Sequence, residues 1–514
     1  MKKMRRFSAV LLAVIMVCSI AVPGFAAEKQ EAASGTYIIT NPYANVNWDT
    51  FKAYKTALHT HTNASDGDPT LKESIQRHVE TGYDIVATTD HGTTNYTWET
   101  PCPNNLIHGA LSLVGKSEGD LVYLGKEGTF DNGVSYTYST NAAGDDMLVT
   151  DSGRTIMRVP FGIENNAVSV NAHVNSFFVD YHNNFVTTYV DAVKGVQKLG
   201  GVSVINHPGE YSKARYELHS ADAYNTDNIA YWYFVNKIAS LLSKYDTCIG
   251  VDVNSKGDGR TRFDRVFWDV LLQRFADNGQ NVYAIGSSDA HQLNKIDTGF
   301  TLALMPEFSN AALEKALRSG EFFAASHCIG NYEELVAIQN GINEFYGQTE
   351  LYNTISAVTA AMEDRVAKIE NGEMDADEDI GITYDVLDDQ GYCTAATEPA
   401  VTSIKVDDEA DTITVNTENA LIVRWISNGE QIACQKADSA TLSLGEFGDK
   451  LGNYVRAEVF GEGGVIYTQA FLLNAADNAG KSAVVDKGFF DIGILDFLIP
   501  QFKNWFDILG RLFA

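Results

Sequence analysis

A chain of 514 residues, 45% of them hydrophobic, is too long for a single core and is expected to divide into two or three domains. Its 67 acidic residues against 38 basic ones leave a net charge of −29. A surface that acidic repels long polyanions, so a nonspecific nucleic-acid coat is excluded, while a small anion held by local positive charge is not.

The chain opens on MKKMRR, followed by an apolar run from Ala9 to Val22 and the small residues Gly24, Ala26 and Ala27. This is the pattern of a secretory signal peptide over 1–26, too short and wrongly flanked for a membrane span. Met16 and Val17 before Cys18 argue against a lipoprotein anchor. The expected product is secreted or cell-surface associated, and losing Lys2, Lys3, Arg5 and Arg6 takes its charge from −29 to −33. Beyond the leader, Cys102, Cys248, Cys328, Cys393 and Cys434 are widely spaced and odd in number, with no CxxC pair. They read as small buried residues rather than a disulfide framework.

From about Ala53 to Leu317, short β-prone runs (TALHTHT, YDIVATTD, VSVINHP, IGVDVN, VYAIGSSD) alternate with helical segments. The clearest helix is TLKESIQRHVETG, with a Thr70/Glu73 capping box and Gly82 past its end. This alternation predicts an α/β unit with a largely parallel sheet, open or closed into a barrel, and such units place their sites at the carboxyl ends of strands. Between 93 and 158 the pattern gives way to Gly, Asn, Ser and Tyr, as in an elaborate insertion over the mouth of the sheet. A helical stretch over 331–371 and the acidic patch MDADEDIG make 331–400 a connecting region.

Over 401–475 seven short β-prone runs separated by turn residues predict a small all-β sandwich of immunoglobulin-like type. In the last segment, 488–514, Leu495, Leu498, Ile499, Phe502, Trp505, Phe506, Leu509, Leu512 and Phe513 recur at helical spacing around Pro500. That amphipathic tail is a candidate for docking on the protein, on a membrane surface or on a partner.

The residues with metal chemistry gather at strand ends. His59 and His61 alternate with Thr60, so on a strand both imidazoles point the same way. Asp66 follows in the loop, and TTDHG adds His91, with Asp90 as a supporting carboxylate for His91 or another ligand. PFGIENNAVSVNAHV carries Glu164 and His173, INHPGE carries His207, and IGSSDAH carries Asp289 and His291. Six of the eleven histidines thus fall at or near strand termini. His78, His108, His182, His219 and His327 fall outside these motifs and read as structural, with His327 the first to test.

HTHTNASDG, TTDHG, GIE, INHP and GSSDAH, in that order over roughly 53–330, resemble the PHP (polymerase and histidinol phosphatase) family of metal-dependent phosphoesterases. FTLALMPEFSNAALEKALRSGEFFAAS resembles the end of such a domain. The resemblance implies a distorted seven-stranded β/α barrel over 40–330, holding two or three divalent ions drawn from Mn, Zn and Fe. It implies that His59, His61, Glu164 and Asp289 hold one ion, Asp66, His91 and His291 a second, and Glu164, His173 and His207 a third. The long gap between His91 and Glu164 leaves Glu127 in YLGKEG as the alternative to Glu164.

Such ions would let water attack a small phosphate ester, nucleotide or short oligonucleotide, with Asp289 or His291 taking the proton. Arg154, Arg158, Lys213 and Arg215 lie near the motifs, and Arg215 is the candidate for contacting phosphate. Two other readings remain. One is a phosphodiesterase acting on envelope polymers or lipid headgroups, and the other a non-catalytic exported binding protein stabilised by metal.

Overall fold

The computed structural model of the chain describes residues 37–92, 97–100, 106–113, 115, 119–167, 170–181, 187–212, 218–219, 229–253, 263–327, 331–375 and 397–475. The expected leader 1–26 and tail 488–514 lie outside these residues, as do His182, Lys213, Arg215, Cys102, Cys328 and Cys393. Cys248 is buried, Cys434 is half-buried, and both are free thiols. No helix among the described residues is long and apolar enough to cross a membrane.

Local signals set the elements. The helix Leu71–Glu80 begins where the Thr70 hydroxyl accepts from Glu73 N and the Glu73 carboxylate accepts from Thr70 N in return. It buries Leu71, Ile75 and His78, and Gly82 leaves it with φ +83°. The helix Tyr189–Leu199 repeats the device with Thr188 and Asp191 and stops at Gly200, also in the left-handed region.

Two sheets carry the α/β half. In one, the strand Lys52–Ala57 lies between Gly299–Met305, antiparallel, and Ile85–Val86, parallel, and Thr155–Arg158 follows in parallel. In the other, Val202–Ile205, Cys248–Val253 and Tyr283–Gly286 run parallel, extended by the antiparallel strands Val170–Phe177 and Ile163–Ala167. The unit is therefore more mixed than the expected largely parallel sheet. The two-residue link between Ala167 and Val170 permits only an antiparallel return.

The helices Ile229–Lys244 and Asp264–Phe275 cover the second sheet with a core that includes Val235, Leu241, Phe267, Trp268 and Leu271. At their carboxyl ends the two sheets are stitched together. Single bridges join Thr60 to Ala290 and His91 to Glu164, and His61 N donates to Ala290 O, Thr89 N to Thr60 O and Glu164 N to Thr89 O.

The segment 93–158 contains more regular structure than expected. Glu127–Thr129, Ser135–Thr140, Asp146–Thr150 and Thr155–Arg158 form an antiparallel meander whose last strand belongs to the main sheet. In Ser135–Thr140 the buried alternating residues are Tyr136 and Tyr138, so the apolar face of that strand is written in tyrosine between Ser and Thr.

The helices Tyr332–Tyr346 and Glu350–Glu370 fall in the expected helical stretch and bury Leu335, Ile338, Ile342, Ile355 and Val358 in the same core as Trp268, while most of the acidic patch lies outside the described residues. The C-terminal strands form two groups. Ala400–Asp407, Thr412–Glu418 and Ala440–Ser443 make a three-stranded sheet. Ile422–Ser427, Glu430–Lys436, Tyr454–Gly461, Gly464–Tyr467 and Phe471–Ala475 make the other. Ile404, Ile413 and Val415 from the first group and Val423, Trp425 and Val459 from the second share one core.

The second group is hydrogen-bonded to the α/β half through Gly464–Tyr467 on Phe322–Ser326, and Phe471–Ala475 is closed by the N-terminal strand Tyr37–Thr40. A buried network reinforces the junction. Arg456 donates to both Asp269 oxygens (2.9 and 2.7 Å) and to Glu458, which also accepts from Arg424 at 2.8 Å. The protein is thus a mixed α/β molecule with large sheets, one of which runs between its two halves.

Candidate metal centre

Most ligand motifs sit where a strand gives way to a turn, but Glu164 is the second residue of Ile163–Ala167 and His173 lies inside Val170–Phe177, not at the strand end expected of it. His59 and His61 follow Lys52–Ala57 with Thr60 bridged to Ala290 between them, and both Nε2 atoms lie 3.0 Å from Asp289 Oδ1. The chain then turns back so closely that a Cβ on Gly67 would stand 2.7 Å from His61 O. That turn delivers Asp66, whose Oδ1 lies 3.4 Å from His61 Nδ1. Asp90 accepts from Thr62 N (2.7 Å), Thr62 Oγ1 (2.8 Å) and Ser65 Oγ (2.8 Å). Its carboxylate therefore braces the loop that carries Asp66.

Glu164 is the shared centre. Its Oε2 lies 3.3 Å from His59 Nε2, 3.2 Å from His61 Nε2 and 3.5 Å from His91 Nε2. Its Oε1 lies 2.9 Å from His173 Nδ1 and 3.3 Å from His207 Nε2 and accepts from Asn206 Nδ2 at 2.7 Å. Gly162 allows the approach, since a Cβ there would be 2.5 Å from Thr88 O. Asp66 Oδ2 draws in the outer pair, His91 Nε2 at 3.6 Å and His291 Nε2 at 3.4 Å. The His61 and His291 rings stack with centroids 4.4 Å apart.

All nine candidate ligands (His59, His61, Asp66, His91, Glu164, His173, His207, Asp289 and His291) are therefore neighbours in one pocket. Four groupings of ligand atoms close enough to share an ion occur among the described residues, and three are here: His59/His61/Glu164/Asp289, His61/Asp66/His91 and His91/Glu164/His173. The alternative Glu127 is exposed on the outer meander strand Glu127–Thr129. His207 and Asp289 both adopt positive φ, +27° and +44°, so the backbone is strained where two ligands enter the pocket.

Burial is graded across the centre. His59, His61 and His207 side chains are inaccessible and Glu164 and Asp289 almost so, whereas Asp66 and His291 are 30% and 35% exposed. The mouth therefore lies on the Asp66/His291 side.

The imidazoles and carboxylates of the cluster shift one another's protonation. Burial alone would depress His59, but Asp289 and Glu164 hold it well above its ordinary value. The same contest, with Asp289, Glu164 and Asp66 overcoming burial, raises His61 to about 10. Burial wins at His91, which falls to about 4 against the pull of Glu164 and Asp66. Burial would also raise Glu164, yet His173, His59 and His91 hold it well below the carboxylate range.

The donor set fits divalent metal. The buried Nε2 atoms of His59 and His61 make no hydrogen bond although a carboxylate oxygen lies 3.0 Å away, because they point at a common centre rather than along a donor–acceptor line. Mixed imidazole and carboxylate shells suit zinc, manganese and iron alike.

Sequence reasoning missed the supports. Asp252 Oδ2 lies 3.1 Å from His59 Nδ1, and Glu210 Oε2 lies 3.1 Å from His207 Nδ1. Asp252 stood in the strand run IGVDVN as its lone carboxylate, which was the available signal. Two of the four candidate cations have other partners. Arg154 donates to Tyr83 O, and Arg158 pairs with Asp146 at 2.7 Å. Arg215 and Lys213 lie outside the described residues.

Of the other histidines, His78 is buried against Ser74 O, His108 bonds Asn63 O and exposed His219 faces Glu333. His327 belongs to the fourth grouping, with Asp297 and Glu398. Lys55 Nζ stands 2.7 Å from both of those carboxylates and 4.2 Å from the centre of the Phe300 ring, so an ammonium already supplies the cation there. Glu398 is held down to about 2; its burial works against this, and His327 and Lys55 overcome it. The group clamps the Lys52–Ala57 strand to the segment entering the C-terminal strands.

Fold and centre together define a mixed α/β protein with a buried histidine–carboxylate cluster able to hold metal. No protein-family model matches the sequence, and no curated protein matches it. Among solved structures, the chain is similar to a two-domain protein from Bacteroides vulgatus containing a predicted PHP-like metal-dependent phosphoesterase. The identity is 14% and the TM-score 0.33, over 85% of this chain and 99% of that one. It is also similar to PsfC from Pseudomonas syringae, at 14% identity and a TM-score of 0.29, over 52% of this chain and 87% of that one.

Proposed function

We propose that the protein is an exported metal-dependent phosphoesterase of the PHP type, acting on small phosphate esters, nucleotides or short oligonucleotides. The observation that carries the reading is the convergence of nine imidazole and carboxylate ligands on one pocket around the shared, buried Glu164. The ring of backbone bonds joining the two sheets supports a seven-stranded barrel, and the two packed C-terminal sheets support an immunoglobulin-like module. Export rests on the leader-like residues 1–26.

In this reading His59, His61, Glu164 and Asp289 hold one ion, Asp66, His91 and His291 a second, and Glu164, His173 and His207 a third, with Mn, Zn and Fe as the candidates. The ions supply Lewis acidity, which neutralises phosphoryl charge and makes water a competent nucleophile at neutral pH. The chain's own residues do the rest. Glu164, Asp289 and Asp66 supply the carboxylate oxygens that would hold the ions beside the imidazoles. Asp289 or His291 takes the proton of the attacking water, and His291 lies at the exposed mouth where an ester arrives. Arg215 is proposed to contact the phosphate.

The test is a panel of chromogenic phosphate mono- and diesters, run with chelator-stripped protein and after addition of Mn, Zn or Fe. Metal-restored turnover supports the reading. Bound metal without turnover on any ester favours a metal-stabilised binding protein instead, and diester preference favours action on envelope polymers or lipid headgroups.

A further inference from the structure

Asp252 lies in the middle strand of three parallel neighbours, paired with Ile285, in a run whose six residues are all buried. A carboxylate in such a strand costs several kcal/mol unless its oxygens are put to use. Here one oxygen has two partners from different parts of the chain. Oδ2 lies 3.1 Å from His59 Nδ1 and accepts from Ser287 Oγ at 2.8 Å. Ser287 follows the strand Tyr283–Gly286 and precedes by two residues Asp289, whose φ is +44°. The neighbouring Ser288 Oγ donates to His59 O at 3.3 Å, so the turn holds the His59 backbone directly and its ring through Asp252.

We propose that Asp252 is a positioning residue for the metal centre, a buried carboxylate that fixes the ring of His59 and the turn bearing Asp289 together. The inference rests on reading the cluster as a divalent-metal centre. A carboxylate at Nδ1 takes that nitrogen's proton as a hydrogen bond and leaves the Nε2 lone pair facing Asp289 and Glu164, the orientation a metal ligand needs. The Ser287 hydrogen bond resists relaxation of the strained turn, which keeps Asp289 Oδ1 within 3.0 Å of both His59 and His61. Glu210 serves His207 more locally, three residues along the same turn and partly open to solvent. Asp252 by contrast couples two ligands separated by most of the α/β half.

The experiment titrates Mn(II) and Zn(II) into chelator-stripped full-length protein by calorimetry, with visible absorption of the Co(II)-loaded form as a second readout. Asp252→Asn, nearly the same shape but uncharged, should weaken the tightest site about tenfold, and Asp252→Leu by up to about a hundredfold. Both should shift the cobalt absorption while the melting temperature of the stripped Asp252→Asn protein stays that of wild type. If Asp252→Leu does not fold, Asp252→Asn alone decides. Wild-type affinity and an unchanged cobalt spectrum in the folded variants would overturn the proposal and leave the metal reading standing. A wild-type protein that takes up no ion would overturn both.

Discussion

Replacing Glu164 by Gln tests the centre at the residue its geometry makes common to all parts. The side chain keeps its volume, but the negative charge within 2.9–3.5 Å of His59, His61, His91, His173 and His207 is gone. Loss of an outer partner of a metal ligand costs about 10–100-fold in affinity, so loss of a direct ligand belonging to two groupings should cost more than about 100-fold. With metal at about 100 times the wild-type Kd, binding stabilises the native state by about 2.7 kcal/mol, and a 100-fold weaker site retains only about 0.4 kcal/mol. At about 1–2 °C per kcal/mol for a chain of this size, the metal-induced rise in melting temperature falls from about 3–5 °C to under about 1 °C. Differential scanning fluorimetry of stripped and metal-loaded protein reads this directly. An equal rise in wild type and Glu164→Gln would refute the placement of ions at this carboxylate.

His291→Ala removes a ligand at the mouth and a candidate proton acceptor while leaving His59, His61, Glu164 and Asp289 in place; kcat on a chromogenic ester should fall about 10²–10⁴-fold with the tightest ion retained, as shown by metal analysis. His78 is fully buried, and its burial lowers it to about 4, so below the ordinary value of 6.5 the unfolded chain binds a proton that the native state refuses. Its contribution is complete above pH 6.5 and is lost as pH falls towards 4, at most about 3 kcal/mol. His78→Leu should therefore flatten stability against pH in that window in denaturant titrations, and an unchanged slope would contradict this. Asp269→Ala strands Arg456, which Asp269 binds through two hydrogen bonds, between the two halves; it should cost about 3–5 kcal/mol in urea unfolding, and a cost under about 1 kcal/mol would show that the network is dispensable.

The ligand motifs were legible because each is local. A β-prone run ending in His-x-His, Asp-His or Asp-Ala-His places imidazoles at a strand end whatever the rest of the chain does, and the Thr70/Glu73 box marks its helix within four residues. Apart from Asp90, the partners of the supports were not legible. Asp252 and Asn206 act on ligands 193 and 42 residues away, and nothing in a single sequence reports such pairings.

The strand Ser135–Thr140 of the meander was hidden because Tyr136 and Tyr138 carry its buried face in a stretch that otherwise reads as loop. The run VIYTQAFLL, read as one strand, is two. Gln469 interrupts it, its side chain hydrogen-bonding both N and O of Ala284 much as a neighbouring strand would. The pairing of Gly464–Tyr467 with Phe322–Ser326 joins segments whose apolar patterns are each self-sufficient. Their register could not be inferred from either.

The most direct measurement is anomalous diffraction at the manganese or zinc edge from crystals of metal-loaded protein. The account predicts a peak within about 2.0–2.3 Å of His59 Nε2, His61 Nε2 and carboxylate oxygens of Glu164 and Asp289. A pocket without anomalous density, or ions bound only at surface carboxylates, would contradict it.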